Sequence, residues 1–166
     1  KTNSIVFIDG GGAYHSDDIR LGLTPGVTAD NYYPVINRGL HEIEKSLKLN
    51  IKIAAHPKSN FAITQKKYNH PIFENKTFEL IRDADVVVSH SSTSLQWAVI
   101  MKKPIIFVTT DEIENAPYAK SLKNSIDEFA TIIGKRVVNL SQLSSVNNWK
   151  DYLNVDDEKY EKYIEN

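Results

Sequence analysis

Two short stretches carry the residue types best suited to chemistry. Ser91-Ser92-Thr93-Ser94 places four hydroxyls between an apolar run and the helix expected after it. A helix start has free backbone N–H groups and a partial positive charge, so it can hold a phosphate. Hydroxyls there add donors without bulk. Helix capping alone needs one Ser or Thr, so four in succession after His90 favour a phosphate cradle over a cap. His56-Pro57 follows another apolar run. A histidine there can donate to a phosphate oxygen or act as a general acid near neutral pH, and proline stiffens the turn. The plainer alternative is a histidine that satisfies a loop carbonyl.

Other groups carry less. Gly10-Gly11-Gly12 lacks the G-x-G-x-x-G spacing of a dinucleotide fingerprint, and a long loop follows it. Its glycines would let backbone approach a ligand, and a mobile turn is an equal reading. His90 suits ligand contact and a structural role equally. Asp83-Ala-Asp85 has the form of a metal motif but lies at the amino end of its strand, so no metal site is expected there. Asp17 and Asp18 read as solvated acids. Tyr32, Tyr33 and Trp97 read as packing residues on amphipathic helices.

These groups need elements to position them. Strands are expected over Ser4–Asp9, Ile51–Ala55, Pro71–Phe73, Val86–Val88, Ile105–Val108 and Arg136–Leu140. Helices are expected over about 31–48, capped by Asp30 with Pro34 in its first turn, over Thr77–Asp83, after Ser94, and over Ala116–Gly134. The first of these takes its apolar stripe from Val35, Leu40, Ile43 and Leu47. Residues 13–30 read as loop and 58–70 as ambiguous. Asp156–Glu165 reads as a terminal helix with a solvated, charged face. The alternation predicts an α/β fold: a Rossmann-like, doubly wound parallel sheet of about six strands with helices on both faces. Ligands of such sheets bind beyond the carboxyl ends of the strands. The loops at Asp9–Gly12, His56–Ser59, Ser89–Ser94 and Thr109–Glu112 fall there, and the polar and glycine-rich residues concentrate in them.

Composition narrows the classes. The 166 residues suffice for one domain with a real core. A net charge of −1 argues against a broad nucleic-acid footprint. The absence of cysteine excludes disulfides, thiolate metal sites and a cysteine nucleophile. No apolar run approaches the roughly 20 residues of a membrane helix. A cytoplasmic location fits, with peripheral attachment at the inner membrane face as the alternative. The chain opens at Lys1 without methionine and enters a strand almost at once, as expected of a single domain, residues 1–166, excised from a longer protein.

The segment around "IAAHP" and the run "TFELIRDADVVVSHSSTSLQWAVIMKKPIIFVTT" resemble the C-terminal, nucleotide-binding domain of GT-B glycosyltransferases, especially bacterial capsule and surface-carbohydrate proteins. Bacterial sialyltransferases and polysialyltransferases are similar in carrying an HP motif followed by a Ser-Ser/Thr motif, here His56-Pro57 and Ser91-Ser92-Thr93. "NYYPVINRGLHEIEKSL" is also similar to the segment that precedes the HP motif in the capsule-type proteins. The resemblance spans about residues 4–140. It implies a CMP- or UDP-type nucleotide-sugar as substrate, no cofactor and no metal. It also implies His56 and the serine-motif hydroxyls on the departing donor phosphate, where fixed donors lower the barrier. A glycan acceptor would be held by an N-terminal domain, and the fragment alone would bind without turnover. Ile8-Asp9-Gly10 matches the acidic base motif of those sialyltransferases only in part, so the base is not carried over to Asp9. A GT-B-fold epimerase, a polyol-phosphate transferase and a non-catalytic sugar-nucleotide module remain open alternatives.

Overall fold

The computed structural model describes residues 2–165. Six strands form one sheet: β1 (Ser4–Ile8), β2 (Asn50–Ala54), β3 (Ile72–Phe73), β4 (Val86–Ser89), β5 (Ile105–Thr109) and β6 (Val137–Asn139). They lie in the order β3-β2-β1-β4-β5-β6, and every pairing is parallel. This is the strand order of the doubly wound Rossmann-like fold. The three central strands, β1, β4 and β5, are buried along their whole length. That burial explains their continuous β-branched and aromatic runs, because both faces of a parallel sheet are covered. β2 alternates instead, exposing Asn50 and Lys52 while burying Ile51 and Ile53.

Eight α-helices complete the described fold: α1 (Ser16–Leu21), α2 (Ala29–Leu47), α3 (Phe61–Thr64), α4 (Thr77–Asp83), α5 (Leu95–Ile100), α6 (Asp111–Asn115), α7 (Lys120–Ile132) and α8 (Asp157–Glu165). With this strand order, the right-handed rule for parallel crossovers places α2 on one face and α4, α5 and α7 on the other. α2 packs on the 3₁₀ segment Leu140–Ser145, while α4 packs on α5 and α5 on α8.

Several boundaries differ from the sequence expectation. Residues 13–30 are not all loop, because the 3₁₀ turn Gly12–Tyr14 and α1 lie within or across them. α2 starts at Ala29 with Thr28 at its cap, so Asp30 sits in the first turn and Pro34 in the second. Its core-facing stripe is Tyr32, Tyr33, Ile36, Leu40 and Ile43, with Val35 and Leu47 at the margin. The expected helix 116–134 is broken. α6 precedes it, Pro117 opens a 3₁₀ turn over Pro117–Ala119, and α7 follows. Proline has no N–H to continue a helix, which makes it a natural joint there. α8 is docked as well as solvated: Tyr160 is fully buried and its hydroxyl donates to Lys103 O at 3.1 Å.

Candidate functional site

The strand order reverses direction between β1 and β4, and this switch point opens a crevice at the carboxyl ends of both strands. Ile8 pairs with Ala54 on one side and Ser89 on the other, so the loops after β1, β2 and β4 leave the sheet side by side. A cavity of about 120 Å³ lies among them. Gly10, Gly12, His90 and Ser91 line it, as do His15 and Tyr32.

The loop after β1 folds over a buried acid. Asp9 is 1% exposed. Its Oδ1 accepts from the Tyr68 hydroxyl at 2.8 Å and from Gly11 N at 3.3 Å, and its Oδ2 accepts from His56 N at 3.5 Å. Burial raises the Asp9 carboxyl above its ordinary pKa, and the Tyr68 hydrogen bond and two amides oppose that rise. Asp9 thus ties the HP turn to the glycine loop. Gly11 has φ +89°, and a Cβ there would meet His15 Cδ2 at 2.8 Å, so the turn requires glycine twice over.

His56 lies half-buried after β2, and its ring packs against His15 with centroids 4.8 Å apart and a tilt of 49°. The two loops are locked by an isolated bridge between His15 and Ser59, in which Ser16 N donates to Lys58 O and Asn60 N to Tyr14 O. His15 Nδ1 accepts from Asp17 N at 3.3 Å, and His56 Nδ1 accepts from Lys58 N at 3.1 Å. An amide can only donate, so each neutral ring carries its proton on Nε2. Burial, followed by His15, lowers the His56 pKa.

The hydroxyl run does not cap a helix. α5 begins at Leu95, Ser94 stands at its cap, and no side chain caps it. Ser92 Oγ accepts from Ser94 N at 3.2 Å, while the other three hydroxyls bond to none of the described residues. The amides of Ser91, Ser92 and Thr93, and those of Gly10 and Gly12, donate to no acceptor among the described residues. Free backbone donors in left-handed and turn conformations are the usual makings of an anion site. At six residues α5 is short, so these loose amides, rather than a long helix dipole, supply the positive end.

His90 has a different environment. It is 3% exposed, its Nε2 meets Tyr32 Oη at 2.8 Å, and its Nδ1 lies 2.7 Å from Val108 O. A carbonyl only accepts, so Nδ1 carries the proton and Nε2 accepts from the tyrosine. Burial pushes its pKa down to about 4. His90 therefore forms a wall of the cavity with both nitrogens engaged. Tyr32 and Tyr33 are core residues as expected, with Tyr32 also orienting His90. Trp97 is 39% exposed and meets Phe78 edge-on.

The structure thus gathers Gly10, Gly12, His90 and Ser91 around one cavity and sets His56 against its wall residue His15. Gly11 lies beneath as a support. Pro57, Ser92, Thr93 and Ser94 stand outside the cavity lining. His15, which sequence reasoning passed over, and Asp9, from which it withheld a role, both prove central to the local geometry. Asp18, read as a solvated acid, lines the cavity.

A second groove of about 660 Å³ lies at the carboxyl end of β5, lined in part by Asp30, Asn31, Thr110, Asp111 and Glu112. The segment Gly26–Thr28 joins the two spaces. Gly26 and Val27 line the small cavity, and Thr28 donates through N and Oγ1 to Glu112 Oε1 at 2.9 and 2.7 Å. No group of three or more His, Cys, Asp or Glu side chains is arranged for a metal ion among the described residues. Among the described residues no helix is long and apolar enough to cross a membrane.

No family model and no curated protein matches the chain. Among solved structures the chain is similar to the UDP-GlcNAc 2-epimerase of Methanocaldococcus jannaschii in complex with UDP-GlcNAc and UDP. Sequence identity is 16% and the TM-score 0.47 over 98% of this chain and 44% of that chain. The chain spans less than half the length of that protein. Strand order and burial define the class directly: a Rossmann-like α/β domain with its candidate site at the switch point.

Proposed function

We propose that this chain is the donor-binding domain of a glycosyltransferase that moves a sugar from a CMP- or UDP-type nucleotide-sugar to a glycan acceptor in bacterial surface-polysaccharide synthesis. The observation that carries the reading is the set of unpaired amides of Gly10, Gly12, Ser91, Ser92 and Thr93 at the switch point. Gly10, Gly12 and Ser91 line a cavity the size of a phosphate group, not of a whole nucleotide, and Ser92 and Thr93 follow Ser91 in the same loop. The larger groove beside it is rich in acceptors and suits ribose and base donors. Together the two spaces suit a nucleotide, with phosphate at the amides and nucleoside toward Glu112.

The resemblance noted above supplies the reaction class, and the site supports it physically. Fixed N–H donors and an imidazole stabilise negative charge that grows on a departing phosphate. The acceptor and its general base belong, in this reading, to an N-terminal domain of the full-length protein. Calorimetric titration with CMP, UDP, GDP and CDP tests the reading. Binding of one pyrimidine nucleotide above the others is expected, and no binding of any would overturn it. Product analysis on the full-length protein then separates transfer from epimerisation and from binding without turnover.

A further inference from the structure

We propose that His15 is a second phosphate ligand, forming with His56 a two-imidazole clamp at the mouth of the switch-point cavity. The proposal rests on the nucleotide reading above and assigns the phosphate to a specific pair of side chains. Three observations carry it. The ring centroids lie 4.8 Å apart with the rings tilted by 49°, and His15 lines the cavity. Each Nδ1 is already occupied by the amide two residues on, which leaves each Nε2 as the group for a ligand. The bridge between His15 and Ser59 and the Gly11 turn hold the pair together, so its order is established before a ligand arrives.

The charges around the pair define how it works. From α1, Asp17 and Asp18 lie near it, with Arg20 on the same helix. From the HP loop, Lys58 pairs with Asp17 at 2.6 Å and so removes that carboxylate from competition. Asp18 lines the cavity, and Asp9 lies buried beneath and interacts electrostatically with His15. With each Nδ1 held by an amide, each neutral ring already presents its Nε2–H, so the pair can donate two hydrogen bonds to one phosphate without taking up a proton. The clamp therefore predicts that both imidazoles contribute to phosphate affinity.

The test uses the chain with inorganic pyrophosphate and with UDP and CMP, by calorimetry. His15→Asn and His56→Asn are the variants, because asparagine caps helices well and can accept from an amide two residues on. Each removes the imidazole while keeping the local turn. Each variant is expected to weaken pyrophosphate about tenfold. If His15→Asn matches the wild type in affinity while His56→Asn is weakened, the clamp falls and the nucleotide reading stands. If pyrophosphate binds through both histidines and neither nucleotide binds, the clamp stands and the nucleotide reading falls. If the wild type binds neither probe, both fall. Imidazole resonances of the wild type give the same decision without a variant: pyrophosphate should shift those of His15 and His56 together, and an unmoved His15 would overturn the clamp.

Discussion

His90 and the His15–His56 pair occupy the same edge of one sheet, yet their ring nitrogens are engaged in opposite ways. His90 lies under the crevice, with Tyr32 on one nitrogen and the Val108 carbonyl on the other. The pair lies above it, each ring spending one nitrogen on its own loop and keeping the other. Position at a strand end does not separate a histidine with both nitrogens engaged from one that keeps a nitrogen to spare. Burial follows the same division, since His90 is enclosed while His56 is half-exposed.

The contrast can be broken first at His90. His90→Ala should cost about 3–4 kcal/mol in urea unfolding, because it leaves Tyr32 Oη and Val108 O unpaired in the core and opens a void. By comparison, His56→Asn should cost under about 1 kcal/mol, since its turn acceptor survives. Equal costs would erase the distinction. Tyr68→Phe tests the support beneath the pair. It removes the hydroxyl that donates to Asp9, should cost about 1–2 kcal/mol, and should raise the Asp9 carboxyl further.

A smaller effect appears in pH dependence. His90 has a folded pKa near 4, below the 6.5 of a free imidazole. The unfolded chain therefore binds more protons between those values. The stability from keeping His90 neutral is full above pH 6.5 and declines as pH falls toward 4, by at most about 1.4 kcal/mol per pH unit. Asp9, raised by burial, contributes the opposite slope above the ordinary carboxylate range. Comparison of wild type with His90→Gln cancels that contribution, and the variant should show the weaker loss on acidification. An unchanged slope would mean that His90 is not the buried neutral base described here. The smallest effect is expected at the surface: Lys58→Ala breaks an exposed ion pair with Asp17 and should leave thermal unfolding unchanged.

Much of the framework was legible in the sequence because its signals are local. Val86–Val88 and Ile105–Val108 announce buried strands, and the alternation of elements leads to the 3-2-1-4-5-6 order found. Three of the four loops expected to carry the site, those after β1, β2 and β4, meet at the switch point, while Thr109–Glu112 lies at the neighbouring groove. The finer site was not legible because it depends on contacts across sequence. His15 lies among glycines and other turn formers with no periodic pattern. Its importance arises only when an antiparallel bridge brings it to Ser59 and His56. His90 read as ambiguous because Tyr32 and Val108, which settle its role, are 58 and 18 residues away. The hydroxyl run invited a helix-start argument; α5 does follow it at Leu95, but the helix is short, no side chain caps it, and the amides of Ser91, Ser92 and Thr93 are left without acceptors among the described residues.

The central claim is that the switch-point crevice between β1 and β4 binds a nucleotide phosphate. Amide chemical-shift mapping with UDP and CMP tests it most directly. The account predicts the largest shifts at Gly10, Gly12, Ser91, Ser92 and Thr93, with His15 and His56 imidazole signals moving alongside. Saturable binding whose shifts cluster away from these residues, or no shifts with either nucleotide, would contradict it.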